Sequence, residues 1–124
     1  MNPPVMKLTH RTVENVHILE ISGNLMHHDV AHVTQQLHQI VTLHNATPWL
    51  IDLTELQHID IHGLSVLLII LKLTHSTGGN VVILNPNEIV NELLTLTNLH
   101  RLFAIYADKT AALADLTQHS LSFK

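Results

Sequence analysis

The chain contains no cysteine, which excludes disulfides, thiolate metal sites and cysteine nucleophiles and makes a reducing compartment, the cytoplasm, the expected setting. Aromatic residues are scarce at one Trp, one Tyr and two Phe. The core of a chain that is 46% hydrophobic must therefore be built from Leu, Ile, Val and Ala, which pack in layers between helices and a sheet. Basic residues are few as well: six Lys plus Arg stand against ten Asp plus Glu, for a net charge of -4. No basic stripe can neutralise a run of phosphates, so nucleic acid is not an expected partner. Long apolar runs are missing too. The longest, residues 64–71, is interrupted by Ser65 and stopped by Lys72, well short of the ~20 residues that span a bilayer, so no direct membrane insertion is expected. Residues 1–8 hold Pro3 and Pro4 and no basic segment followed by an apolar one, unlike a secretory signal. The 124 residues suit one domain.

β-branched residues at Val13, Val16, Ile18 and Ile21 predict a strand, paired with residues 6–12 through a turn near Glu14-Asn15. Gly23-Asn24 reads as the break after this hairpin. Val30, Val33, Leu37, Ile40 and Val41 recur at helical spacing behind Asp29, a candidate N-cap, which predicts a helix over 29–44. Residues 48–53 are a short continuous apolar run, suited to a strand covered on both faces. A polar segment, 54–62, precedes a helix over 63–76 that is apolar nearly all round. Such a helix is either core or half of an interface, which leaves a homodimer open. Residues 80–84 predict a strand, and in Asn85-Pro86-Asn87-Glu88 the order of cap, proline and glutamate predicts a helix start. A short strand at 103–106 and a final helix capped by Asp108 and running to Leu116 complete the order. Alternating strands and helices imply an α/β fold: a mixed central sheet, with an N-terminal hairpin and then parallel strands, covered by about four helices.

Candidate chemistry is sparse. Ser65 lies in no nucleophile elbow, no glycine-rich phosphate loop is present and the carboxylates form no motif, so neither catalysis nor a cofactor is expected. Twelve histidines raise the question of metal. His28 with His32 are spaced i, i+4, and His58, Asp60 and His62 alternate along one segment, but neither group completes a diagnostic site. These histidines are read as solvated, with a metal- or pH-responsive domain as the competing expectation. Asp60 is placed to cap the helix that follows it.

Residues 50–64, Leu-Ile-Asp-Leu-Thr-Glu-Leu-Gln-His-Ile-Asp-Ile-His-Gly-Leu, resemble the signature of the STAS family, the sulfate-transporter and anti-sigma-factor-antagonist domain. That signature runs strand, Asp-Leu, a few residues, Asp-Ser-Ser-Gly-Leu, helix. Gly23-Asn24-Leu25, Gly78-Gly79, and residues 99–106 followed by Ala111-Ala112-Leu113 fall in the family's order. The resemblance implies a single STAS-like domain over 8–118, flanked by an extension at 1–7 and a tail at 119–124. It further implies a protein-binding module that docks through Asp60, Ile61, His62, Gly63 and Leu64 and the following helix onto a kinase-type anti-sigma factor or related regulator. In family antagonists the serine or threonine before the motif glycine is phosphorylated by that partner, and only the unphosphorylated form binds. Phosphate there adds about -1.5 to -2 charges at a helix N-terminus. Here that position is His62 and the one before it Ile61, so both hydroxyls are absent, and Met26 replaces an acidic residue common after the Gly-x-Leu element. Ser65, in the helix that follows, is a candidate substitute acceptor. The other function the family implies is a constitutive subunit of a membrane transport complex, of the ABC type serving lipid or anion transport.

Overall fold

The structure is a computed structural model that describes residues 5–44 and 47–121, with side chains of the last helix as far as Thr117. The hairpin forms as the sequence predicts. β1 (Lys7–Val13) and β2 (Val16–Leu25) pair antiparallel around Glu14 and Asn15, whose φ angles of 50° and 68° give the two-residue turn that suits strand twist. The strand does not break at Gly23-Asn24. Gly23 takes φ 81°, the register shifts between the two residues, and β2 runs on to Leu25. A bulge with glycine in the left-handed region absorbs what looked like a stop.

Beyond Leu25 a 3-10 turn, His27–Asp29, leads into α1 (Val30–Thr42). Asp29 stands at the N-cap position of that helix as expected, but its side chain makes no capping bond there: the carboxylate accepts from the Met26 N–H at 3.0 Å and so fastens the turn before it. β3 (Pro48–Asp52) pairs parallel with β2 and with β5 (Asn80–Leu84), and β6 (Ala104–Tyr106) pairs with β5. The sheet order is β1-β2-β3-β5-β6, so β3 is central, as its apolar run requires. The segment read as polar connection holds a further strand, β4 (Leu56–Ile59), lying parallel to residues 23–25 of β2. Asp52 holds the turn between β3 and β4, accepting from Thr54 through its N–H at 3.0 Å and its hydroxyl at 2.6 Å.

α2 (Ile61–Ser76), α3 (Glu88–Leu96) and α4 (Lys109–Leu121) supply the remaining cover. α3 starts later than the sequence suggests: Asn85 is left-handed at φ 53°, and Asn87 is the cap. The Asn87 Oδ1 accepts from Val90 N–H, while its amide donates to the carbonyls of Leu56 and Gln57, tying α3 to β4. Asp108 caps α4 as expected, accepting from Ala111 N–H at 3.0 Å. That helix continues to Leu121, past the expected end at Leu116 and into the segment read as a tail. Residues 1–4 of the expected extension and 122–124 of the tail lie outside the described residues.

Alternation along the strands divides the core. Leu19, Ile21, Trp49, Ile51, Val81 and Ile83 join Val33 and Leu37 of α1, Leu67 and Ile70 of α2, and Val90 and Leu94 of α3. On the other face Val16, Ile18, Leu50, Val82 and Leu84 meet Ala112 and Leu116 of α4. α2 packs on α1 as well as on the sheet, which accounts for its apolar circumference. Among the described residues no helix is long and apolar enough to cross a membrane.

Candidate functional site

The motif residues assemble where β2, β4 and α2 meet. Asp60 is the N-cap of α2 and binds on two sides: Oδ1 accepts from Gly63 N–H at 2.7 Å, and Oδ2 accepts from His27 N–H at 2.9 Å. Its own N–H donates to the Leu25 carbonyl at 3.3 Å, so one residue joins the end of β2, the 3-10 turn and the helix. Partial burial opposes its ionisation, but the N–H groups of Gly63 and His27, with the nearby His62 and His27 rings, outweigh it and hold the carboxyl below its ordinary range.

A folded-state value below the unfolded one of about 3.9 means that the ionised cap stabilises the protein fully above that value and is lost as pH falls through the folded value. Asp60→Ala is therefore expected to lower stability by about 1–2 kcal/mol at neutral pH. Asp60→Asn, which keeps a capping oxygen, loses less. Chemical denaturation at neutral pH and below pH 4 checks both, the gap between wild type and Asp60→Ala narrowing in acid.

Asp60 caps α2 as the sequence predicts, but the helix begins earlier than residue 63: the structure puts Ile61, His62, Gly63 and Leu64 in its first turn, two residues before the expected start. Ile61 is 70% exposed, large for an apolar side chain, and His62 is also exposed. Gly63 is buried, and a Cβ there would stand 2.2 Å from the Leu25 carbonyl oxygen. Ser65 is half-buried, its hydroxyl donating to the His62 carbonyl within the same turn.

Beside this turn lies a groove of about 270 Å³ between α2 and the segment after α3, lined by Ile61, Leu64, Ser65, Leu68, Thr97 and Leu99. Leu96 and Leu102, 72% and 53% exposed, extend the apolar surface of that segment. Neither the groove nor its far wall is marked by a sequence motif. The signal available was the excess of leucine between 93 and 102 beyond what one amphipathic face needs.

The family profile that matches this chain is the STAS domain, over residues 7–112. The chain belongs to the STAS domain family. Among STAS relatives, the anti-sigma F factor antagonist of Paenibacillus polymyxa is 30% identical over 99 residues, covering 80% of this chain and 85% of the relative. The Bacillus anti-sigma factor antagonist SpoIIAA, in its unphosphorylated form, superposes with a TM-score of 0.76 at 17% identity over 92% of this chain and 97% of its own, a likeness of fold. A sulfate transporter family protein of Wolinella succinogenes does so with a TM-score of 0.71 at 15% identity, over 87% and 89%, again a likeness of fold. The six-stranded mixed sheet with four helices is thus the STAS architecture.

The histidines singled out by spacing do not converge. His28 lies in the 3-10 turn, 3.6 Å from its neighbour Asp29, and His32 is exposed on α1. His58 sits on β4, with Nδ1 3.2 Å from the Asn24 amide oxygen. His62 faces His27, ring centroids 6.0 Å apart, rather than His58. Three other histidines, His10, His17 and His44, do come together, at the opposite end of β2.

Proposed function

We propose that this STAS domain is a regulatory module that acts by binding another protein, a kinase-type anti-sigma factor or a related regulator, and that it performs no catalysis itself. Docking uses Asp60, Ile61, His62, Gly63 and Leu64 together with the groove along α2. The observation that carries the reading is the exposed Ile61 side chain on a rigidly capped first turn, opening onto an apolar groove. An apolar surface next to a preorganised turn is what a partner of complementary shape can bury at small ordering cost. The Paenibacillus relative, named for antagonism of an anti-sigma factor, supports the same class of partner. Such a role belongs in the cytoplasm.

The binding is not switched by phosphorylation of a serine or threonine at the motif. His62 offers no hydroxyl, and the Ser65 hydroxyl is engaged by the His62 carbonyl on a half-buried position. Incubation with the partner kinase and labelled ATP is expected to leave the wild type unlabelled and to label a His62→Ser variant. Label on Ser65 of the wild type would contradict this reading.

A further inference from the structure

Three histidines from separate elements meet at the end of the sheet remote from the α2 turn. His10 lies on β1, His17 near the start of β2, and His44 just beyond α1. Register explains the first pair: His17 stands opposite Thr12, so His10, two residues along, projects from the same face. His17 also stands beside Trp49 on β3, and the two rings stack at 4.5 Å. That packing, with His17 only 6% exposed, sets the imidazole's orientation. His44 closes the group, its ring centroid 4.2 Å from that of His17 and 5.6 Å from that of His10.

One ring nitrogen from each histidine lies within 4.8 Å of the other two, and among the described residues no other group of three His, Cys, Asp or Glu is brought so close. His10 Nε2 and His17 Nδ1 are 2.8 Å apart. Tetrahedral zinc with bonds of about 2.0–2.1 Å sets its ligand nitrogens roughly 3.3 Å apart, so the observed spacings bracket a bound geometry and ring shifts of about 1 Å reach it. Burial first, and then the neighbouring His44, lower the pKa of His10 and His17, which keeps their lone pairs available near neutral pH. Three imidazoles with neither thiolate nor carboxylate suit a borderline divalent transition ion and not calcium or magnesium, which require oxygen donors.

We propose that His10, His17 and His44 form a site for a divalent transition metal ion, Zn²⁺ being the ion the ligand set fits, with water in the fourth position. Binding replaces the His10–His17 hydrogen bond by two metal–nitrogen bonds, and the ring that donated that bond takes its other tautomer, its proton passing through solvent to the ring nitrogen turned away from the ion, so that both ligands stay neutral with no net proton release. The ion joins the edge strand β1 to the segment after α1. His17 precedes Leu25 by eight residues of β2, roughly 26 Å of strand, so the metal acts on stability and not on the docking turn.

The test is calorimetric titration of the tag-free chain with ZnCl₂ near neutral pH. One ion per chain is expected with a Kd tighter than about 10 µM, and a Tm raised by about 5–10 °C at 100-fold excess over Kd. His44→Ala and His10→Ala are each expected to weaken binding at least tenfold, and a His28→Ala/His32→Ala double variant to leave it unchanged. Should either single variant fold poorly without metal, His44→Gln is used in its place. Affinity weaker than about 10 µM, affinity indifferent to His44 and His10, or affinity lost with His28 and His32 overturns the site.

Discussion

Gly63→Ala is expected to lower stability by about 2–3 kcal/mol, a Tm fall of roughly 8–12 °C, without altering the fold of what remains. The first turn of α2 wraps the Leu25 carbonyl. That oxygen accepts from Asp60 N–H at 3.3 Å, and an alanine Cβ at 63 would stand 2.2 Å from it and 2.8 Å from Ile59 Cγ1. Neither neighbour yields cheaply, one being backbone at the end of β2 and the other a buried side chain of β4. Alanine is the better helix former by about 1 kcal/mol, so intrinsic propensity works in the opposite direction. A Tm equal to or above that of the wild type would show that β2 and α2 are not held in contact here.

His62→Glu and Ile61→Asp are each expected to weaken partner binding about 10- to 100-fold while leaving Tm within a few degrees. Both positions are exposed, so the core does not feel the change. A carboxylate in the first turn of a helix is favourable to the helix itself, which separates loss of docking from loss of fold. The glutamate also sets a negative charge on the proposed docking turn. Titration of each variant against the purified partner, with thermal melts alongside, checks the pair. Unchanged affinity in both removes the α2 turn from the interface.

The order of elements was readable because each depended on a local signal that tertiary contacts reinforce. Glu14-Asn15 makes the turn its residue types favour, residues 48–52 and 80–84 are apolar enough to be central strands only, and Asp108 caps where it stands. The signals that failed were those overridden at a distance. β4 has two buried residues, Leu56 and Ile59, around two exposed ones, a pattern without strand alternation, and it exists because β2 continues past its bulge to pair with it. The order cap, proline, glutamate pointed to Asn85, but the cap is Asn87, whose amide finds the Leu56 and Gln57 carbonyls 31 and 30 residues away.

The same division holds for the sites. Asp60 to Leu64 stand out because they run together in the stretch that resembles the STAS signature, and the structure gathers them in one capped turn whose helix starts at Ile61 and not at residue 63. The groove along Leu68 and Leu99 and the cluster of His10, His17 and His44 join residues far apart in sequence. Spacing rules within one element favoured His28 with His32, whereas strand register and the end of α1 decide which imidazoles meet.

The most direct test of the central claim is affinity capture from a lysate of the source organism with wild-type and His62→Glu protein, followed by mass spectrometry of what each retains. Binding through the α2 turn predicts a soluble sigma-regulating protein of the anti-sigma factor class, held by the wild type and lost by the variant. Retention of transporter subunits by both proteins, with no such regulator, would contradict it.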